Sequence, residues 1–446
     1  MKLIPPPRDV LLRSPLRRAF WNFWFAWQAQ NNVIRAFHPS QAEIPFSWGK
    51  VFGRRLFTVN DPDLIHQVLV KNHSRYQKGE LFQRLFRPGL GESLLTAEDE
   101  SWAARRKMVV PAFHARALTA LEPRMKSKIY EATENLKSTL ETEDWATNLA
   151  LSVSLEGLFS GGAGERTQYL AYHMKRGIDE YGKISAPDAL NMPRWFPRPG
   201  KRRAKQHADK VDAVVYDLID SRLNAKKIQD QPDLLDLIIA SRDIKNTQVL
   251  GRQDIRNEVF TFFAAGYDTT ANALQWALIL LSERPRLQED LAQEANQVKD
   301  WRSRKLMSQV INEVLRLYPP VFALLREAVR EDTISGVKVP IGALIVIPIF
   351  YLHRSPKYWT TPLSFNFQHF GEKEVSQRPR HAYIPFGLGP RVCPGKIMAL
   401  QTLNLTLSRL LTSFEIVRTD AEDIDAFAKL TLRPSQSVHL QLKPRA

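Results

Sequence analysis

Cys393, the one thiol of the chain, sits in Pro385-Phe386-Gly387-Leu388-Gly389-Pro390-Arg391-Val392-Cys393-Pro394-Gly395, where three glycines and three prolines lead directly into an apolar helix. Glycine lets the backbone approach a neighbour closely. The helix that follows would bring its first amides near the sulfur and favour the anion, and Arg391 adds a positive group two residues away. Physically this suits a thiolate buried against something flat. A thiolate so held can ligate haem iron and push electron density towards oxygen–oxygen cleavage. A single cysteine has two other readings: a catalytic nucleophile, with His381 nearby in sequence, or an inert buried thiol. No protease-like signature surrounds Cys393.

Three further groupings have chemistry in their spacing. Ala265-Gly266-Tyr267-Asp268-Thr269-Thr270 interrupts an apolar helical run. A glycine there costs about 1 kcal/mol relative to alanine, and a buried acid needs a partner. The break predicts a bulge or widened turn whose backbone groups could hold water; a capping or packing pair is the plainer alternative. Glu313 and Arg316, spaced i and i+3, share one helix face, where an exposed ion pair would be worth little. Trp102 and Arg106 are four apart and also share a face.

The pattern Phe386-x-x-Gly389-x-Arg391-x-Cys393-x-Gly395 resembles the haem-binding loop of cytochromes P450 at every defined position. The resemblance runs from about Trp102 to the end of the sequence, and its elements fall in the expected order. It implies haem b (iron protoporphyrin IX) as cofactor, with Cys393 as axial ligand of the iron. Asp268 and Thr269 are similar to the family's acid–alcohol pair on the proton path. Trp102, Arg106, Arg326 and Arg391 match positions that seat the propionates, anions that arginine meets with paired hydrogen bonds. Phe386 and Gly395 complete the cofactor-binding loop. Glu313-Val314-Leu315-Arg316 resembles the family's E-x-x-R element, a buried structural brace behind the cysteine loop. The family usually completes that brace with an arginine in a Pro-Glu-Arg-Phe segment. Here the stretch is Phe367-Gln368-His369-Phe370, so His369 stands in that place, where it can hydrogen-bond Glu313 but can also be neutral near pH 7.

The elements that must position these residues follow from periodicity. Val51 to Val59 reads as a strand, ended by Asn60-Asp61-Pro62-Asp63, which starts a helix through Val68 and Val70. From about Ser101 to Ala240 the pattern is mostly helical, broken by a loop at Pro193, Pro197 and Pro199. A long helix runs from about Asp254 to Glu283, closed by Pro285, and its middle, Val259 to Leu281, is apolar on nearly every face, which marks a path through the protein's centre. Another ends at Leu317-Tyr318, stopped by Pro319-Pro320. Thr333 to Val339 and Ala343 to Phe350 read as a hairpin. A last helix runs from about Lys396 to Ser413, and short strands follow from Phe414 to Leu442. The fold class is therefore mainly α with a minor segregated β-sheet region, as the cytochrome P450-like fold would have. Residues 1–40 form an N-terminal segment weakly covered by the resemblance. Residues 41–446 are expected to form the haem domain, β-rich over about 41–60 and 325–370 and helical over about 61–320, with the ligand loop at 385–395.

Composition bounds the partners. Lys and Arg outnumber Asp and Glu by 63 to 47, a formal charge of +16, which fits nucleic acid, an anionic membrane or an acidic protein. No zinc-finger spacing or basic motif with interleaved aromatics supports nucleic acid. The basic run Gly200 to Lys205 reads as a solvated helix start or loop. One cysteine excludes an intrachain disulfide and agrees with a cytoplasmic setting. The aromatic cluster from Phe20 to Trp27 is too short to span a bilayer, which needs about 20 residues. Trp21, Trp24 and Trp27 would pack on the domain or touch a membrane peripherally.

The resemblance implies a monooxygenase: dioxygen is activated at the iron, two electrons and two protons are consumed, and one oxygen atom enters the substrate. No flavin or nicotinamide dinucleotide fingerprint is present, so electrons are expected from a ferredoxin or flavodoxin with its reductase. Positive charge including Arg105, Lys107 and Lys396 would steer such acidic carriers. Phe262, Phe263, Ala265 and Tyr267, with Val321, Phe322, Ala323 and Leu324 after the prolines, are candidates for the pocket wall. They suggest a small apolar substrate, terpenoid or fatty acyl, although helical apolar residues also face a core. The alternatives are a peroxide-using peroxygenase or isomerase on the same fold, which commonly lacks the acid–alcohol pair, and a haem sensor or carrier without catalysis.

Overall fold

The computed structural model describes residues 32–36, 39–51, 54–134, 136–160, 164, 166–181, 200–224, 232–241, 250–419 and 422–445. The aromatic cluster at Phe20 to Trp27 and the loop at Pro193, Pro197 and Pro199 lie outside them. Ten helices matter here: α1 (Glu80–Leu90), α2 (Asp99–Val109), α3 (Ala115–Glu134), α4 (Thr142–Phe159), α5 (Arg166–Tyr181), α6 (Lys201–Asn224), α7 (Arg252–Ser282), α8 (Pro285–Gln297), α9 (Lys305–Leu317) and α10 (Lys396–Ser413). The basic run starts α6, with Arg202, Arg203 and Lys205 exposed and Ala204 turned inward. Ala208, Val211, Val215 and Leu218 continue that inward face at helical spacing. By contrast, α7 is buried along most of its length, and α4 packs closely against it, as an all-round apolar helix requires.

The strands are β1 (Phe46–Val51), β2 (Arg54–Val59), β3 (Tyr76–Gln77), β4 (Thr139–Glu141), β5 (Leu324–Ala328), β6 (Asp332–Ile334), β7 (Val337–Val339), β8 (Leu344–Ile347), β9 (Phe414–Arg418), β10 (Ala426–Ala428), β11 (Leu432–Pro434) and β12 (His439–Pro444). A five-stranded sheet runs in the order β1-β2-β8-β5-β3, with β2 and β8 parallel and the other neighbours antiparallel. β4, β12 and β9 form a second sheet, and β10–β11 and β6–β7 are separate ladders. Mainly α with segregated sheets is thus the architecture found.

Two expectations need correction. The strand expected over Val51 to Val59 is β2 from Arg54 onwards, whereas Val51 ends β1, which pairs back on β2 from Phe46 with Val59 to Val51 with Arg54. The hairpin closes inside the first of its two proposed runs, at Ser335 and Gly336, where β6 meets β7; both residues have positive φ. The second run leaves it: β8 lies between β2 and β5, and Ile349–Leu352 is a helical turn. Alternating β-branched residues announce a strand but not its neighbour. The Asn60–Asp63 turn behaves as expected, with the Asp61 carboxylate capping the amides of Asp63 and Leu64 at 3.0 and 3.3 Å.

The apolar interior divides into a helical cluster, including Phe263, Tyr267 and Trp276, and a sheet-side cluster, including Phe57, Ile345 and Ile347. The cavity that holds the cysteine is walled by α7 and α10 on the helical side and by β5 on the sheet side.

Candidate functional site

The cysteine loop is shaped by two glycines at φ +77°, Gly387 and Gly389. A Cβ on Gly389 would stand 2.1 Å from the carbonyl oxygen of Leu69, so the loop lies directly on the helical turn Gln67–Lys71. Gly389→Ala therefore combines a backbone clash with a left-handed strain. We expect it to lower the unfolding midpoint and the haem content of the purified protein, whereas Gly336→Ala, with open space around its Cβ, costs far less; equal haem content in both would contradict this packing.

Within the loop the Cys393 amide donates to Phe386 O at 3.0 Å, which turns the sulfur towards a cavity of about 560 Å³. The sulfur is open on the cavity side and enclosed by protein elsewhere. Burial pushes the thiol pKa up; the amides of Gly395 and Lys396 and the Arg106 guanidinium pull against it. The helix-start effect read from the sequence is present, but burial of the unliganded thiol outweighs it. A metal on the sulfur reverses that balance, because a coordinated thiol loses its proton.

At the cavity edge lies a cluster of cations. Arg391 pairs with Glu98, donates to Ala97 O at 3.1 Å, and stacks 4.5 Å above the Trp102 ring. Arg106 donates to Val392 O at 3.2 Å and also faces Trp102. Arg326 on β5 is buried, and that burial together with Arg391 pushes it down to about 10. Lys78 is buried as well, donates to the Leu95 carbonyl, and is held well below the usual lysine range by burial and by Arg391 and Arg326. All four cations line the cavity, and Glu98 is the carboxylate among them. Buried like charges with so little counter-charge are costly unless an anion joins them. A flat group with an iron for the sulfur and two carboxylates for the cations fits this arrangement, so the residues present can hold haem. Lys78 and Glu98 were not among the sequence candidates; neither stands at a diagnostic spacing from the others.

On α7, Phe262, Ala265, Gly266, Asp268 and Thr269 face the cavity. Phe263 and Tyr267 do not: they are 0% and 2% exposed in the helical core, so both are withdrawn as pocket residues. They lie on the helix side away from Phe262 and Ala265, as the 3.6-residue period requires. Nor does a widened turn appear; α7 runs unbroken through Gly266. The Thr269 hydroxyl donates to Ala265 O at 2.7 Å. The Asp268 carboxylate accepts from the Thr431 hydroxyl at 2.6 Å, and Asn272 donates to the same hydroxyl oxygen at 3.1 Å. Thr431 lies between β10 and β11 and was not anticipated. Val321, Phe322, Ala323 and Leu324 all reach the wall.

Behind the cavity, Glu313 and Arg316 are both fully buried. Arg316 makes a fork of two 2.7 Å bonds to the Glu313 carboxylate and donates to the carbonyls of His353, Pro362 and Ser364 at 2.7–2.9 Å. His369 Nδ1 lies 3.3 Å from each Glu313 oxygen, and its Nε2 lies 3.2 Å from the hydroxyls of Thr360 and Thr361. The imidazole therefore reaches the same carboxylate as Arg316. Arg378 donates to His369 O at 2.8 Å and stacks 4.0 Å over Trp359. One steering charge must be withdrawn: Arg105 is buried against Asp254 at 2.6 Å and Glu258 at 3.0 Å, whereas Lys107 and Lys396 are exposed.

Comparison with known proteins agrees with this geometry. The profile of the family described as Cytochrome P450 matches residues 14–441. Cytochrome P450 734A1 of Arabidopsis thaliana is 30% identical over 412 residues, 82% of this chain and 76% of that one. Cytochrome P450 132 of Mycobacterium bovis is 28% identical over 415 residues, covering 87% and 88%. An Arabidopsis thaliana cytokinin hydroxylase is 28% identical over 434 residues, covering 89% and 83%. In fold, the chain matches retinoic acid-bound cyanobacterial CYP120A1 with a TM-score of 0.79 at 22% identity, over 90% of this chain and 92% of that one. Among the described residues no helix is long and apolar enough to cross a membrane.

Proposed function

Since this chain belongs to the cytochrome P450 family, whose members are haem-thiolate monooxygenases, we propose that Cys393 is the axial ligand and that the cavity admits an apolar substrate, terpenoid or fatty acyl in character. The observation that carries this reading is the cavity itself, with one sulfur facing in and Lys78, Arg106, Arg326 and Arg391 on its wall, Arg391 paired with Glu98. The haem, when bound, supplies dioxygen activation and the transfer of one oxygen atom to the substrate. Lys78, Arg106, Arg326 and Arg391 would hold its carboxylates, with Trp102 stacked beneath two of the guanidinium groups. Phe386 and Gly395 flank the sulfur, and residues 41–446 would form the haem domain. Phe262, Phe322 and Leu324 keep bulk water from the reacting carbon.

Protons enter through the pair on α7. The Asp268 carboxylate can take up a proton and pass it on, and the Thr269 hydroxyl can relay it into the cavity. Thr431 orients the Asp268 carboxylate, so Thr431→Val is expected to raise the share of reducing equivalents lost as hydrogen peroxide several-fold while leaving substrate affinity unchanged. An unaltered peroxide share would remove Thr431 from the proton path. Retention of Asp268 and Thr269 on the wall favours this reading over a peroxygenase or isomerase, and over a carrier.

Electrons are proposed to come from a ferredoxin or flavodoxin with its reductase, docking near exposed Lys107 and Lys396. Turnover should then fall as salt rises; rates indifferent to ionic strength would count against charge-steered docking. The function itself is tested by the absorption of the reduced, carbon-monoxide-treated protein. A band at about 450 nm is expected for thiolate-bound haem. A band at about 420 nm means haem without its thiolate, and haem-supplemented protein with no haem band overturns the proposal.

A further inference from the structure

Glu258 on α7 is a buried carboxylate with no place in the cavity wall or in the brace. It is fully buried and does not line the cavity. One of its oxygens accepts from the Leu94 amide and from Arg105, each at 3.0 Å, and the other accepts from the Leu94 amide at 2.9 Å. Arg105 on α2 also reaches Asp254, one turn earlier on α7, at 2.6 Å. Burial pushes the Glu258 carboxyl up in pKa, and the Leu94 amide and Arg105 pull against it. Compared with apolar residues of the same volume, a buried ion pair contributes little net stability. Its best-attested use is to fix one arrangement among several.

Both arms of this junction end at the haem-edge cations. Arg105 lies three residues after Trp102 and next to Arg106, so its bond to Glu258 fixes how α2 presents those two side chains. Arg106 in turn donates to Val392 O and faces the Trp102 ring. The other arm is the loop between α1 and α2. Leu94 stands four residues before Glu98, whose carboxylate holds Arg391 and accepts from the Lys78 amide at 2.9 Å. Between them, Leu95 O accepts from the Lys78 ammonium and Ala97 O from Arg391 at 3.1 Å.

The loop is stiff enough to pass the anchor on. The Thr96 hydroxyl donates to Gly91 O at 2.6 Å and accepts from the Ser93 amide at 2.9 Å, and the Ala97 amide donates to Ser93 O at 2.7 Å. Asn257, beside Glu258, donates to Glu92 O at 3.3 Å. A Cβ on Gly91 would collide with the Asn257 side chain, so the loop lies directly on α7.

We propose that Glu258, acting through Arg105 and the Leu94 amide, is a positioning residue that sets Trp102, Arg106 and Arg391 in place to hold the haem carboxylates. The inference rests on the haem reading of the cavity. It gives α7 a second task besides walling the substrate site: ten residues before Asp268, the helix holds both segments that grip the cofactor's polar edge. Haem retention then follows the bonds of Glu258 and not the overall stability of the domain.

The test uses the haem-loaded enzyme and follows haem transfer to excess apomyoglobin beside the urea unfolding midpoint. Arg105→Met leaves the buried carboxylate half paired, and should lower the midpoint and speed haem loss about tenfold. Arg105→Met with Glu258→Met leaves no buried charge alone, so most of the midpoint should return while haem loss stays about tenfold above the parent. Glu258→Gln keeps an oxygen for the Leu94 amide and Arg105, and its rate should stay within about twofold of the parent. Gln288→Ala empties a buried network with Leu281 O and the amide and carbonyl of Ile416. It should lower the midpoint with haem loss within about twofold of the parent. Arg105→Lys keeps the charge but cannot span both carboxylates; its rate should fall in between, and it decides the matter if neither methionine variant folds. Parent-like haem loss in the double variant (or in Arg105→Lys, where that decides), equally fast loss in Gln288→Ala, or fast loss in Glu258→Gln would overturn the positioning role. If the parent lacks the thiolate-haem band, the haem reading has failed instead; if the band is present and the rates ignore Glu258 and Arg105, only the positioning role has.

Discussion

Cys393→Ser should abolish the thiolate-haem band, moving it from about 450 nm to about 420 nm, and lower oxygen-dependent product formation by about a hundredfold or more. The serine hydroxyl would stand in the same loop, held by the same amide bond to Phe386 O, so the fold is not at issue. What changes is the donor: an alcohol stays protonated where a metal strips the proton from a thiol. The four cations at the cavity edge remain, so the variant should still take up haem, though more weakly. Haem content and the reduced carbon-monoxide spectrum separate these effects. A variant that kept the band at about 450 nm would show that Cys393 is not the ligand.

The second large effect concerns the brace. Arg316→Met removes both 2.7 Å bonds from a Glu313 carboxylate that has no access to water, leaving the Asn366 amide at 2.7 Å and His369 at 3.3 Å. Breaking a buried pair from one side costs about 3–5 kcal/mol, a large part of the about 5–15 kcal/mol that holds a domain. Urea unfolding of Arg316→Met should therefore show a markedly lower midpoint. The double variant Glu313→Met with Arg316→Met should recover part of the loss, since no charge is left alone. A single variant as stable as the parent would mean that the pair is not stabilising as drawn.

Much of this site could be read in the sequence because its residues are close together along the chain. The cysteine loop is one continuous segment. Glu313 and Arg316, and Trp102 and Arg106, are helix neighbours whose shared face follows from the period. His369 was found by a departure from a short pattern, and the imidazole does reach Glu313. The rest was hidden by distance or by uniformity. Thr431 meets Asp268 across 163 residues, and Arg391 meets Glu98 across 293. No local rule links such pairs. The middle of α7 carries apolar residues on most of its faces, so Phe262 at the wall and Phe263 in the core look alike until the helix is set in place. Likewise β8 carried a strand pattern but not the identity of β2 and β5 as its neighbours.

Thr139 pairs with Gln441 where β4 meets β12, so one edge of that ladder is synthesised some 300 residues before the other. At about 5–20 residues per second the nascent chain carries β4 without this partner for about 15 s to a minute. An unpaired strand edge is a template for association with other chains. The step from ribosome to finished sheet is thus the interval in which this protein most needs dilution or a chaperone, and slowing expression should favour soluble product.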